Sequence, residues 1–325
     1  MDGEDTLTAL VESSDLDGLV RFIDGLASAR DWDGIELTRD RCNEAVERGK
    51  QVWGPAEYAE YRLALDAPAD RAAAVVGDGK GRYGPGPLWE VAASRHSWDD
   101  LEAYLGTPTV RAMVAYERSL RGDRVDPAQI DRSILEIPMA PRSWEPQYSV
   151  AVYRSDGVDF PQGDRTALAW IDLPEAGMRL DDETVVDALL ELVKPWWDES
   201  GGHADAVYVA GDVPAAIRAL GPHRARIAKV PLAEALVDMV WAAASGGAYG
   251  SRRGTPRGRA LAWWVVAQLL GYDELPEDDD ALAEADELNW YLWDPGDQVG
   301  GWSLYLAVED PEEGVSWALS AVDMV

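Results

Sequence analysis

The chain has 325 residues, with 29 Lys+Arg against 60 Asp+Glu and a formal net charge of -31. That charge excludes a general nucleic-acid binder, because duplex phosphates repel such a surface. A 47% hydrophobic fraction with 9% aromatics excludes a wholly disordered chain, and the length suits two domains or one large one.

The first 140 residues predict a helical domain, a small bundle, with no fixed internal period. Leu16, Leu19, Val20, Ile23 and Leu26 recur at the spacing of one buried helical face, with Ser14 as the expected cap and Asp15 and Asp17 at the positive end. A second helix is expected over about 34–51, carrying Ile35, Cys42 and Val46. Pro55 and Pro68 stand where first helical turns begin, Ser97 precedes WDDLEAYLG, and Thr107-Pro108 opens TVRAMVAYERSLRG. Between them GDGKGRYGPGP (77–87) carries Lys80 and Arg82 but lacks phosphate-loop spacing, and reads as an ordinary loop.

Pro138, Pro141 and Pro146 discourage a continuous helix, which puts the expected domain boundary between 138 and 147. The remainder, 141–325, predicts a mixed α/β domain with an acidic C-terminal segment, so the fold class is α+β. YSVAVYR and RTALAWIDL are expected to form a long hairpin across DGVDFPQGD. Asp181-Asp182 should cap a helix that buries Val185, Val186, Leu189, Leu190, Val193, Trp196 and Trp197. AVYVAG reads as a strand, Asp212-Val213-Pro214 as a helix start with its stop at Gly221, and RIAKV as a strand. Helices at about 231–244 and 257–271 precede three strands in NWYLW, GWSLYLAVE and VSWALSA.

Arg outnumbers Lys by 25 to 4, and Trp outnumbers Phe by 15 to 2. GC-rich coding produces that bias, while solubility in a salty cytoplasm is the other source of the acidity. The lone Cys42 cannot form an internal disulfide, so a structural buried thiol and a reducing compartment are expected. MDGEDTL lacks the basic and apolar regions of a signal peptide. The most apolar stretches, 230–244 and 260–270, fall short of the ~18 residues that span a bilayer. Together these features predict a cytoplasmic protein that is not embedded in a membrane.

Charge is unevenly placed. Residues 213–272 hold eight bases and two acids, whereas 273–325 hold sixteen acids and no Lys or Arg. Within the basic island, SGGAYGSRRGTPRGR (245–259) sets Arg252, Arg253, Arg257 and Arg259 among glycines that include Gly250 and Gly254, directly before an expected helix. Glycines admit an anion to backbone N–H groups, arginine forks grip phosphate or carboxylate, and a helix start adds a favourable dipole. Tyr249, Trp263 and Trp264 supply possible stacking faces. The same arrangement also suits internal pairing with the acidic run 273–287. His96, His203 and His223 show no metal-ligand spacing, and no hydrolase elbow or cofactor motif is present, so neither metal nor cofactor is expected.

The strings EYRLAL (60–65), EVAASRHSWDDL (90–101), WAAASGGAYGSRRG (241–254) and SLYLAVEDPEEGVSWALSA (303–321) resemble a family of uncharacterised proteins from high-GC Gram-positive bacteria. The resemblance implies a bacterial, cytoplasmic origin and no particular activity.

The expected function is a non-enzymatic cytoplasmic binding or adaptor protein, with an acidic surface for a basic protein partner. The alternative is an enzyme or sensor that binds a phosphorylated small molecule or nucleotide at 245–259. Mimicry of DNA charge fits less well, given the arginine island and 15 Trp.

Overall fold

The computed structural model describes residues 3–77, 84–161, 163, 165–181, 183–276, 278, 280–296 and 301–324. The chain divides into two compact units: 1–131 with 151–160, and 132–150 with 161–325. Residues 132–150, including Pro138 and Pro146, thus pack within the second unit, and the chain returns to the first for one short hairpin.

Among the described residues the first unit holds eight α-helices: α1 (Gly3–Ser13), α2 (Leu16–Ala29), α3 (Trp32–Glu47), α4 (Trp53–Asp66), α5 (Ala69–Val75), α6 (Leu88–Arg95), α7 (Trp98–Leu101) and α8 (Pro108–Leu120). Leu7, Val11, Leu19, Cys42, Ala45, Val52 and Ala56 close one core among α1–α4. Ser14 is not the cap of α2. It adopts φ +54 and closes α1, while the Asp15 carboxylate accepts from the Gly18 N–H at 2.9 Å. The next junction repeats this: Arg30 takes φ +57, and Asp31 accepts from Gly34 at 3.0 Å. The two D-x-D-G strings, 15–18 and 31–34, share one reason for their glycine. A Cβ there would meet both the capping carboxylate and a leucine of the preceding helix, Leu10 or Leu26. At α7 the expected cap holds, with Ser97 and Asp100 forming a reciprocal capping box.

Cys42 is fully buried, and burial pushes its thiol pKa up to about 11. The thiolate is the reactive form, so Cys42 should resist a thiol reagent at pH 8 in native protein and react at once in denaturant. Cys42→Ser should cost about 1–3 kcal/mol, the penalty of placing a hydroxyl in an apolar site. Rapid labelling of folded protein would refute the burial.

The hairpin is shorter than expected. YSVAVYR does not pair with RTALAWIDL. Instead β1 (Val152–Arg154) turns directly into β2 (Gly157–Asp159), with Tyr153 opposite Val158. The intervening Ser155-Asp156 supplies a tight two-residue turn, so the nearer partner is reached first.

The second unit is a seven-stranded antiparallel sheet with helices on both faces. Its elements are β3 (Ala169–Asp172), β4 (Met178–Arg179), α9 (Glu183–Asp198), β5 (His203–Ala210), α10 (Val213–Ala219), β6 (Arg224–Val230), α11 (Leu232–Ala244), α12 (Thr255–Leu269), β7 (Asn289–Asp294), β8 (Gly301–Asp310) and β9 (Val315–Met324). Strand order is β3-β6-β7-β8-β9-β5-β4. Period-two alternation sorts the side chains. Val207, Val209, Ala225, Trp293, Ala307 and Ala318 face α10, where Val213, Ala216 and Ile217 meet them. The alternate set, among them Trp290, Leu304, Leu306 and Leu319, is buried on the opposite face. Asp212 caps α10 as expected, accepting from Ala215 N–H at 3.0 Å. The expected cap residue Asp182 of α9 lies outside the described residues. The fold is therefore α+β, with helices first and the sheet strands concentrated in the second half. Among the described residues no helix is long and apolar enough to cross a membrane.

Candidate functional site

The loop between α11 and α12 holds the residues that the sequence singles out. Its glycines serve close packing. A Cβ on Gly246 would strike the Ser251 backbone, one on Gly250 the Gly246 carbonyl, and one on Gly258 the Val240 carbonyl of α11. Gly254, at φ +91, turns the chain into α12, where Thr255 and Pro256 are buried in the first turn. Asp323 of β9, itself fully buried, accepts from the Ala248 N–H at 2.5 Å and from Ser200 Oγ at 3.0 Å. Trp196 Nε1 donates to Ser245 Oγ at 3.0 Å.

The four arginines do not converge. Arg259 points inward and is fully buried. Its Nε and Nη2 donate to Glu145 at 2.6 Å each, and Nη1 and Nη2 reach the carbonyls of Pro138 and Ala140 at 2.5 and 3.3 Å. Burial drives the Glu145 carboxyl pKa up, but Arg259 outweighs it and holds the carboxyl below its ordinary value. Arg253 reaches Glu199 at 3.3 Å, Arg252 donates to Thr255 Oγ1 at 3.1 Å, and Arg257 is exposed. Thus Arg259 and Arg253 pair with Glu145 and Glu199, neither of which belongs to the 273–287 run. Tyr249 is exposed, whereas Trp263 is buried against Trp144 at 5.0 Å between ring centres, and Trp264 is half-buried. His203, at the start of β5, and His223, just before β6, are exposed, and Lys80 and Arg82 lie outside the described residues.

The helical unit instead offers concave surface. One cleft on it, about 570 Å³, is lined by apolar groups of Leu16, Val20, Trp53, Pro55, Tyr58 and Tyr61. Gln51, Glu57, Ser155 and Asp156 also line it, giving polar and acidic groups beside the apolar ones. Leu16 is 46% exposed, unusual for a leucine that opens an amphipathic helix. The two tyrosines stack at 6.4 Å on one side of α4, and each hydroxyl is anchored. Tyr58 donates to Asp24 at 2.6 Å, and Tyr61 donates to the Arg154 carbonyl at 2.5 Å. Burial raises the Tyr61 pKa to about 12, so it stays a neutral donor across the physiological range. The hydroxyl bonds hold both side chains in one orientation along the cleft wall.

A smaller, polar cavity of about 330 Å³ includes Arg30, Trp32, Arg62, Asp66, Arg95 and His96. Among the described residues no group of three or more His, Cys, Asp or Glu could hold a metal. Neither cavity has a sequence motif. Both are assembled from side chains on separate helices, whereas the 245–259 string advertises itself in one stretch.

A model for a family of unknown function, DUF6183, matches residues 17–324. No curated protein and no solved structure matches the chain.

Proposed function

The chain belongs to this family of unknown function, and we propose that it is a non-enzymatic binding protein that receives a basic, apolar-anchored segment of a partner protein. The cleft on the helical unit carries this reading. Its Trp53, Tyr58 and Tyr61 walls suit one large apolar side chain, and Glu57 and Asp156 beside them suit flanking Lys or Arg. A net charge of -31 favours encounter with a basic partner over long range. A cytoplasmic setting in a high-GC Gram-positive bacterium belongs to the same proposal, supported by the lone buried Cys42 and the arginine-rich composition. The alternative site at 245–259 draws less support, since Arg259 is committed to Glu145 and the first turn of α12 is buried.

The test is a peptide panel in which one Trp, Leu or Ile is flanked by Lys/Arg or by Asp/Glu, read by fluorescence anisotropy. Basic-flanked peptides should bind the wild type, and Leu16→Arg should weaken them by about tenfold or more, the equivalent of losing most of one buried apolar side chain. Leu16 is half in solvent, so the fold should survive. Equal binding of acidic and basic peptides, or no effect of Leu16→Arg, would sink the proposal.

A further inference from the structure

The geometry points to a second binding site on the helical unit: the cavity bounded by Arg30, Arg62, Arg95 and His96 takes the phosphate group of a small phosphate monoester. It is separate in chemistry from the cleft. Four helices contribute, with Arg30 at the end of α2, Trp32 opening α3, Arg62 and Asp66 on α4, and Arg95 and His96 closing α6.

Three observations carry it. The first is that Arg30 occupies a left-handed position, φ +57, where glycine or asparagine is favoured. The matching junction before α2 uses the small Ser14, so nothing in the turn itself requires a long cationic side chain. Backbone strain retained at such a position is a pointer to function.

The second is the pairing pattern. Acids outnumber bases 60 to 29 in the chain, yet among the described residues the guanidinium groups of Arg30 and Arg95 meet no carboxylate. Arg62, by contrast, is held from both sides. Asp24 accepts from its Nη1, and Asp66 accepts from its Nε at 2.8 Å. Arg62 is thereby fixed in place with its charge already offset, and Arg30 and Arg95 supply the surplus positive charge.

The third is His96. Its Nε2 atom is buried without a hydrogen-bond partner, a state that costs free energy unless something fills it. Burial lowers its pKa, and its other ring nitrogen faces the Ala67 carbonyl, so Nε2 is an acceptor that a hydroxyl of the ligand, on the phosphate or its carbon skeleton, would satisfy. Trp32, half-buried, and Leu65 and Ala27, both buried, add an apolar surface for the carbon skeleton that bears the phosphate. At about 330 Å³ the cavity matches a phosphorylated sugar or a molecule of that size better than a large cofactor.

The experiment titrates the full chain with inorganic phosphate, ribose 5-phosphate, citrate and sodium chloride at matched ionic strength, following melting temperature and calorimetric heat. Ribose 5-phosphate should raise the melting temperature, because a ligand bound only to the native state stabilises it. Inorganic phosphate should do so more weakly, and chloride not at all. Arg30→Gly should raise the melting temperature without ligand, by relieving the left-handed position, and weaken ribose 5-phosphate binding at least tenfold. Arg95→Ala should give the same loss of binding with the ligand-free melting temperature nearly unchanged, since that side chain is exposed. Binding that persists in both variants, or a wild type that responds to phosphate no more than to chloride, would overturn the site. Citrate binding as tightly as ribose 5-phosphate would overturn its assignment to phosphate.

Discussion

Replacing Arg259 with alanine should cost the sheet-bearing unit about 3–5 kcal/mol, the usual penalty for stranding one member of a buried ion pair. The partner left behind would be Glu145, whose side chain is fully buried and whose two oxygens both face the Arg259 fork. The carbonyls of Pro138 and Ala140 would lose a donor at the same time. Tyr148, which donates to Glu145 at 2.8 Å, could not neutralise the charge by itself. Arg259→Lys should recover little, because an ammonium cannot make two parallel bonds and still reach two carbonyls. The paired change Arg259→Met with Glu145→Leu should recover most of the loss. Urea denaturation of these variants decides, and a cost below about 1 kcal/mol for Arg259→Ala would show that the pair is dispensable.

The same pair makes a pH prediction. Glu145 has a folded pKa below its ordinary 4.5, with burial opposing the shift and Arg259 prevailing. The folded state therefore binds this proton less readily than the unfolded state does. Its contribution to stability is complete above about pH 4.5 and is lost as pH falls through the lower folded value. Glu145→Gln should flatten stability against pH in that window while lowering stability above it.

Asp323→Ala should be another severe change, at about 3–6 kcal/mol from the loss of two hydrogen bonds to a charged acceptor at roughly 1.5–3 kcal/mol each. The bonds are those from Ala248 N–H and Ser200 Oγ, and both tie loops to the sheet. Gly247, at φ +77, lets the backbone come up against this carboxylate, since a Cβ there would collide with it. Without Asp323 the 245–254 loop loses its anchor, and proteolysis should cut the variant there first. Asp323→Asn should be milder, because an amide oxygen can still accept one bond. An Asp323→Ala protein with wild-type stability and no new cleavage would refute the anchoring role.

The helices of the first unit are legible because their signals are local. Leu19 and Ile23 share a face, and Ser97 with Asp100 states a capping box within four residues. The cap of α2 is a miss by one residue, since Asp15 and not the expected Ser14 takes that role. The choice depended on Ser14 turning left-handed, which its side chain does not announce. Strands near the end were legible from their Trp, Tyr and Val content, but the partner of YSVAVYR was not, because pairing is decided by geometry between distant segments. The sites follow the same division. Arg259 reads as one of four similar arginines. Its fate is set by Glu145, 114 positions earlier. The only local hint is the run ALAWWVV that follows, which marks the helix as interior. Arg30, Arg62 and Arg95 carry no shared motif, since they meet through helix packing and not through spacing.

The order β3-β6-β7-β8-β9-β5-β4 has a consequence for synthesis. β5 pairs along its whole length, His203 to Ala210, with β9, from Val322 back to Val315. β9 is at once the bridge to β8, so the two parts of the sheet join only through it. On a ribosome, the hydrophobic edge of β5 must therefore wait for more than a hundred later residues before its mate exists. Pairing across so long a separation is slow to close and leaves sticky strand edges exposed in the meantime. Nascent chains of this protein should thus spend their most aggregation-prone interval between the completion of β5 and the emergence of β9, and general chaperones that hold extended apolar segments should be most needed then.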